Sequence, residues 1–416
     1  MRFLSMSILA AASLLASPVM AVEPVGAPDF NIKATVDLRA VSVENFEKVL
    51  LPVAKTQGSF VFYDFTESFT PLFVDNIIPR FEKKYGIKVT YRSVNGEQAI
   101  QQLVAAKQAG QPSPVDAFFM PNGQARLGTE SGIIANLPLN TMLPSAQDLN
   151  QLASTVSRGF KHGGTVVPFH RNQTAIGYDT RFVSAEQAPK SLPELLAFAK
   201  ANPKKVAITN PTRGGSGQGI LESAILAMST KECLARAYDY TLTAADAAAW
   251  AAGPCLNPAL DYFKALKPFV EFTNGNTDTL TLIANGQATV GTTWEDQTLD
   301  FIGRGLLPPT VRSRLLTEGQ VGDGDGVMIP AGSQKVEAAL LFVDFILSDE
   351  IQLLKLSLNG SRSARTKLDI AGALKPELVE RLVPADQYAS LTRPRIVGVL
   401  TSEAGKRFVT EILQMP

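Results

Sequence analysis

Cysteine and histidine are scarce in this chain, with two of each in 416 residues, and its 39 basic side chains are matched by 39 acidic ones. Each scarcity removes a class of function. A net charge of zero with no basic stripe lacks the electrostatic footprint of a nucleic-acid binder. The histidines, His162 and His170, lack the four-residue spacing of a zinc-binding helix. Cys233 and Cys255 are too far apart for a C-x-x-C redox pair. No Gly-Lys-Ser/Thr follows a glycine-rich stretch, so no P-loop is present. Past the N-terminus no apolar run approaches the ~20 residues of a membrane-spanning helix. No metal and no cofactor are expected.

What is present begins at the N-terminus. Met1-Arg2 gives a positive start, Phe3 to Ala16 an apolar run, and Val19-Met20-Ala21 a small-residue exit. That order is a secretory signal over residues 1–21, cleaved after Ala21. The other reading, an uncleaved anchor, suffers from the shortness of the run. No cysteine follows closely enough to carry a lipid, so a soluble, exported protein is expected. Export places Cys233 and Cys255 in an oxidising compartment, where the pair reads as a disulfide worth roughly 3 kcal/mol in the chain-entropy model. Two buried thiols are the alternative. Hydrophobic residues at 45% suffice for real cores, and at roughly 150 residues per domain the mature chain divides into two or three.

Strand and helix signals alternate, which predicts parallel βαβ units in an α/β fold. Ser59–Asp64 reads as a buried strand. Phe73, Ile77, Phe81 and Tyr85 mark a helix stopped by Gly86, with Pro79 demanding a kink or a late start. Further strands are expected at Ile87–Tyr91, Val115–Met120, Lys205–Thr209 and Ala288–Trp294. Thr165–Phe169 and Ala175–Tyr178 read as two short extended pieces. Helices are expected over 97–109, 123–131, Gly219–Met228 and Val336–Leu347, with a long helical region around the cysteines.

The sharpest local motif is Asn210-Pro-Thr-Arg-Gly-Gly-Ser-Gly-Gln-Gly219, between a strand and a helix. Backbone N–H groups of Gly214, Gly215, Ser216 and Gly217 make an anion cradle at a helix start, and Arg213 adds a bidentate donor. A flexible connection with a serine cap is the plainer reading. The same loop misses a nucleophile elbow by one residue, because Gln218 stands where glycine is required. His162 and His170 both precede Ser216, whereas the hydrolase order places histidine after the serine. Hydrolysis through Ser216 therefore lacks its base, and the chain is read as a binder, not an enzyme. Thr292-Thr-Trp-Glu-Asp-Gln297 leaves a strand with an aromatic face, Trp294, beside the carboxylates Glu295 and Asp296, a pattern suited to an amine or cationic ring. Thr66, Glu67 and Ser68, and Asn122, also leave strand ends, where open α/β sheets bind ligands. Gly322-Asp-Gly-Asp-Gly326 lacks the terminal Glu of a calcium loop and reads as a turn whose carboxylates face a cleft.

Several segments in order resemble bacterial extracellular solute-binding proteins: Phe46 to Tyr63, Ile78 to Val89, Pro114 to Phe118, Val167 to Tyr178, Ile283 to Val290, Gly326 to Ile346 and Asp349 to Gln352. The resemblance implies an α/β, two-lobed periplasmic-binding-protein fold (type II-like), with the ligand cleft between the lobes. The crossing strands then lie near Phe169–Tyr178 and Val321–Val327. Implied boundaries are lobe I over 22–168 with a return over 327–365, lobe II over 169–326, and C-terminal helices over 366–416 against lobe II. The implied site takes in Arg171 and Asn172 with the residues named above. The implied function is the periplasmic substrate-binding component of an ABC importer, a monomer whose partners are a small-molecule solute and a membrane permease. The opening is similar to the branch of ferric-ion, thiamine and phosphorylated-solute binders. No Tyr-Tyr pair of the ferric kind exists, and Tyr238 and Tyr240 fall in an expected helix. Arg213 points to an anionic group and Trp294-Glu295-Asp296 to an amine, so a phosphorylated or zwitterionic solute, thiamine-like or polyamine-like, is expected. A periplasmic sensor or adaptor is the other reading.

Overall fold

The computed structural model describes residues 25–27 and 30–414. The secretory signal expected over 1–21 lies outside them. Among the described residues, no helix is long and apolar enough to cross a membrane.

Fourteen strands form among the described residues: β1 (Val25–Ala27), β2 (Ile32–Ala34), β3 (Ser59–Asp64), β4 (Lys88–Ser93), β5 (Ala117–Met120), β6 (Val156–Ser157), β7 (Phe160–Lys161), β8 (Val167–Asp179), β9 (Val206–Thr209), β10 (Val270–Thr273), β11 (Val290–Trp294), β12 (Val311–Arg314), β13 (Gln320–Met328) and β14 (Thr392–Pro394). The main sheet runs β10-β9-β11-β8-β13-β5-β3-β4, with β12 added on β8 and β14 on β13. The parallel set β4-β3-β5 builds one lobe and the parallel set β10-β9-β11 the other. Antiparallel β8 and β13 run through both and join them.

In lobe I, β3 buries Phe60 and Phe62 against Phe342 of the apolar helix Val336–Ile346. Phe73, Ile77 and Phe81 are fully buried in the same core, as their spacing predicts. The Pro79 conflict is resolved by a wide π turn, Leu72–Ile77, ahead of the helix Ile78–Tyr85. Proline then sits in the helix's first turn, where its missing N–H costs nothing. Gly86 ends the helix at φ +70°, a left-handed cap suited to glycine.

Lobe II departs from expectation in three places. Thr165–Phe169 and Ala175–Tyr178 are not separate pieces, since β8 is one strand of 13 residues. The helix expected from Gly219 starts at Gly215, because Gly217 and Gly219 let it press directly on its neighbours. A Cβ on Gly217 would overlap the Thr209 carbonyl oxygen. The helical region around the cysteines is broken into Lys231–Leu234 and Ala244–Ala252, so Tyr238 and Tyr240 lie in the turn between. Cys233 and Cys255 form a disulfide with Cα atoms 5.4 Å apart, which excludes the buried-thiol alternative.

Gly322-Asp-Gly-Asp-Gly326 is not a turn but the middle of β13. Its glycines serve close backbone approach: a Cβ on Gly326 would sit 2.8 Å from the Val167 carbonyl oxygen, and one on Gly324 would overlap that of His170. Pairing shifts register between Asp325 and Gly326, a bulge of the kind that bends a strand. The C-terminal helix Gly398–Phe408 packs Leu400, Ala404 and Phe408 into the core of lobe II, with the Phe408 ring 5.1 Å from Phe263.

Candidate ligand site between the lobes

The register of the crossing strands sets His170 opposite Asp325 and Asn172 opposite Asp323. Directly opposed residues of an antiparallel pair share a face, so two carboxylates, an imidazole and an amide stand together on the hinge. Strand ends of both lobes reach this patch. From lobe I, the ring of Phe69 lies edge-on to His170 at 5.1 Å, and the Asn122 N–H donates to Asp325 Oδ1 at 2.9 Å. From lobe II, Asp296 Oδ2 comes within 3.8 Å of His170 Nε2.

The charges in the patch are unequally balanced. Asp323 accepts from Arg158 Nε at 3.0 Å. Burial alone would raise its carboxyl, but the guanidiniums of Arg158, Arg395 and Arg171 outweigh that and hold it below the usual carboxylate range. Asp325 accepts from the Asn122 N–H, and the pull of Arg158 and Arg171 on it is too weak to offset its burial. Burial, then the charge on Asp323, pushes it up to about 7. Burial, then Glu295, likewise pushes Asp296 up to about 7. Asp296 Oδ1 is buried with no hydrogen-bond partner, as is Asn172 Oδ1. Such atoms normally find a partner, because an unmet one costs about 1–3 kcal/mol.

His170 is held neutral. Burial first, then Lys355 and Arg171, depress its pKa to about 3. Its Nδ1 meets Ser361 Oγ at 2.6 Å. Lys355 is itself fully buried and donates to the Phe169 carbonyl at 2.5 Å, the Arg362 carbonyl at 2.8 Å and Ser361 Oγ at 3.1 Å. Burial drives its pKa well below that of an ordinary lysine.

The residues singled out from the sequence divide. Asp296 reaches the patch from one lobe and Asn122 from the other, Asn172 sits on the crossing strand itself, and Trp294 pairs with Thr174 two residues further along that strand. Arg171, half-buried, pairs its backbone with Arg362. Thr66 donates its N–H and hydroxyl to Asp64 at 2.6 and 2.7 Å, while Glu67 and Ser68 are exposed. Glu295 has a different role from the expected one. Both its oxygens are engaged by Arg362, at 2.6 and 2.9 Å, and one also accepts the Val383 N–H. Ser216 is buried, its hydroxyl held among Thr209 Oγ1, Asn276 Oδ1 and the Thr292 carbonyl. It is a packing residue, with nothing of a nucleophile's exposure.

The glycine loop also reads differently. Asn276 Oδ1 accepts from the Ser216 N–H at 3.1 Å, occupying a donor of the expected anion cradle. Gly214 is the N-cap residue and packs on Thr209 and Asn276. Gly215 is bare because the Trp294 ring lies on it: a Cβ would be 2.6 Å from Cζ2. Arg213 extends into solvent. Among the described residues, no three of His, Cys, Asp and Glu converge as metal ligands.

Sequence reasoning missed Arg158, Arg362 and Lys355. The two arginines of Gly360-Ser-Arg-Ser-Ala-Arg365, just after a helix-ending glycine, were an available signal for Arg362. Arg158 carried none, since its partner Asp323 is 165 residues away, and nothing local ties Lys355 to the crossing strand, whose Phe169 carbonyl is 186 residues away.

Two α/β lobes, joined by crossing strands and presenting unpaired polar groups at strand ends, define a hinged binding protein. The chain belongs to the bacterial extracellular solute-binding proteins, whose family pattern matches residues 76–375. Similar folds include the spermidine/putrescine substrate-binding protein PotD of Streptococcus pneumoniae (14% identity, TM-score 0.64, 85% of this chain and 98% of that one). An ABC transporter substrate-binding protein of Bradyrhizobium japonicum is similar at 16% identity (TM-score 0.59, 85% and 99%). The periplasmic binding protein AfuA of Actinobacillus pleuropneumoniae, with fructose 6-phosphate bound, is similar at 17% identity (TM-score 0.52, 86% and 100%). At these identities the likeness is one of fold. No curated protein matches the sequence.

Proposed function

We propose that this protein is the periplasmic substrate-binding component of an ABC importer and that it captures a small amine-bearing organic solute by closing its lobes. The observation that carries the solute class is Asp296: a desolvated carboxylate with one oxygen unmet, two residues after Trp294. Asn172 Oδ1, also unmet, and the Asp325 carboxylate on the neighbouring strand are acceptors too. A site lined by unmet acceptors is completed by a solute that donates. An ammonium group does so, with the Trp294 ring as its cation–π partner. Exposed Arg213 is available to an anionic group on the same solute, which keeps zwitterions within the class. The fold-level likeness to a spermidine/putrescine binder supports the reading, and the fructose 6-phosphate binder supplies its competitor.

On this reading, lobe I comprises residues 22–168 and 327–365, and lobe II comprises 169–326 with the C-terminal helices. The protein acts as a monomer presenting its closed form to a permease. A thermal-shift screen over putrescine, spermidine, 4-aminobutyrate and fructose 6-phosphate tests the solute class. A true solute at 100 times its Kd adds about 2.7 kcal/mol of stability. Stabilisation by one or more amines supports the proposal, and stabilisation by the sugar phosphate alone overturns it.

A further inference from the structure

The turn between Cys233 and the helix Ala244–Ala252 belongs to lobe II by its anchors. Ala237 and Leu242 are buried in the lobe II core. The Ala237 carbonyl accepts the Val397 N–H at 2.9 Å, and the Trp250 Nε1–H donates to the Cys233 carbonyl at 3.2 Å. The disulfide ties the base of the turn to Cys255. Between those anchors, Tyr240 points the other way.

Tyr240 packs against a core cluster of lobe I that contains Phe118, Met120, Phe160 and Val166. Its ring meets Phe160 edge-on, with centroids 5.6 Å apart. Its carbonyl accepts from Arg126 Nη1 at 2.7 Å, and Arg126 lies on the lobe I helix Ala125–Glu130. The receiving side is equally specific. Phe160 follows a tight hairpin turn in which Arg158 has φ +47° and Gly159 φ +85°. Two successive positive φ values define the turn type that suits β-hairpins, in which glycine and asparagine are favoured. Gly159 is required twice over: a Cβ there would also lie 2.5 Å from Val397 of lobe II.

We propose that Tyr240 is a peg by which lobe II grips lobe I, so that this chain's own contacts hold the lobes together before any solute enters. The hinge strands allow rotation, and the peg biases it toward closure. A ring moved from a partly buried site into water loses apolar burial, and the Arg126 hydrogen bond is lost with it. The resting distance between the lobes is therefore set on the flank of the cleft as well as in it. The inference rests on the two-lobed fold and not on the solute class.

The test needs no solute. Spin labels on Lys48→Cys in lobe I and Lys200→Cys in lobe II, both exposed positions, report the interlobe distance distribution by pulsed electron resonance. The solute-free protein is expected to give one narrow distribution. Tyr240→Ala and Arg126→Ala should each move population to longer distances, while Tyr240→Phe retains the short one. Should Tyr240→Ala fail to fold, Arg126→Ala carries the test, because its side chain is 47% exposed and its loss leaves the cores intact. A distribution unmoved by both alanine variants overturns the proposal, and so does an equal shift in Tyr240→Phe.

Discussion

Arg362 closes on Glu295 through two buried hydrogen bonds, Nε to Oε2 at 2.6 Å and Nη2 to Oε1 at 2.9 Å, with both side chains almost wholly removed from solvent. The adjacent Asp296 receives no such partner. Consecutive carboxylates thus divide their work: one fastens the helix Glu295–Gly303 to the segment after Gly360, and the other lies beside His170 of the crossing strand with one oxygen unmet. The Arg362 guanidinium also lies 4.1 Å from the Tyr388 ring centroid and donates to the Val383 carbonyl, so the C-terminal segment is fastened at the same point.

Removing one partner of a buried pair leaves an uncompensated charge, which costs about 3–5 kcal/mol. Arg362→Ala is therefore expected to lower unfolding stability by about that amount in urea titrations. Removing Arg126, whose pair with Glu130 is exposed, should cost within about 1 kcal/mol.

The raised carboxyls make solute capture depend on pH. Asp296 and Asp325 both titrate near 7 in the folded protein, chiefly through burial. A cationic solute needs them ionised, so its affinity should rise with pH through about 7. Between pH 8 and pH 6 each group that must lose a proton weakens binding by about tenfold. The linkage to stability runs the opposite way. Between about pH 4 and 7 the folded state holds protons on these groups that the unfolded chain has released, so their contribution to stability falls as pH rises through that window. His162 and His170, whose pKa values burial depresses to about 4 and 3, act oppositely and cost stability as pH falls below about 6.5. Titration calorimetry at pH 6, 7 and 8 with a fixed amine isolates the carboxylate effect.

The Cys233–Cys255 bridge closes a loop of 22 residues. Replacing Cys233 by Ser should lower stability by roughly 2–4 kcal/mol, read as a shift in the urea midpoint. The native protein should take up no thiol reagent without prior reduction.

Much of the fold was legible in the sequence because it rests on local periodicity. The strand Ser59–Asp64, the helix ended by Gly86 and the buried helix from Val336 all declare themselves within a few residues. The collinear resemblance located the crossing strands, while local reading split β8 in two and took the Gly-Asp-Gly-Asp-Gly stretch of β13 for a turn. Glycine in a sequence does not say whether it permits a bend or a close approach, and here the partner strand, about 150 residues away, decides. The site was legible in part for the same reason. Trp294 ends a strand and Asp296 comes just after it, so the pair was visible as a pattern. The demotion of Glu295 depends on Arg362, 67 residues later, and the filling of the anion cradle depends on Asn276, 60 residues after Ser216. No local signal joins such pairs.

The central claim is that Asp296 captures an amine in the cleft. The most direct measurement is calorimetric titration of the wild-type protein and of Asp296→Asn with whichever of putrescine, spermidine or 4-aminobutyrate stabilises the protein. Asparagine keeps the shape and removes the charge. A charge-assisted hydrogen bond is worth about 1.5–3 kcal/mol, so Kd should rise roughly 10- to 150-fold in the variant, with thermal stability unchanged or increased. An unchanged Kd for a solute that binds the wild type would contradict the account, because the unmet carboxylate at the hinge would then have no part in holding it.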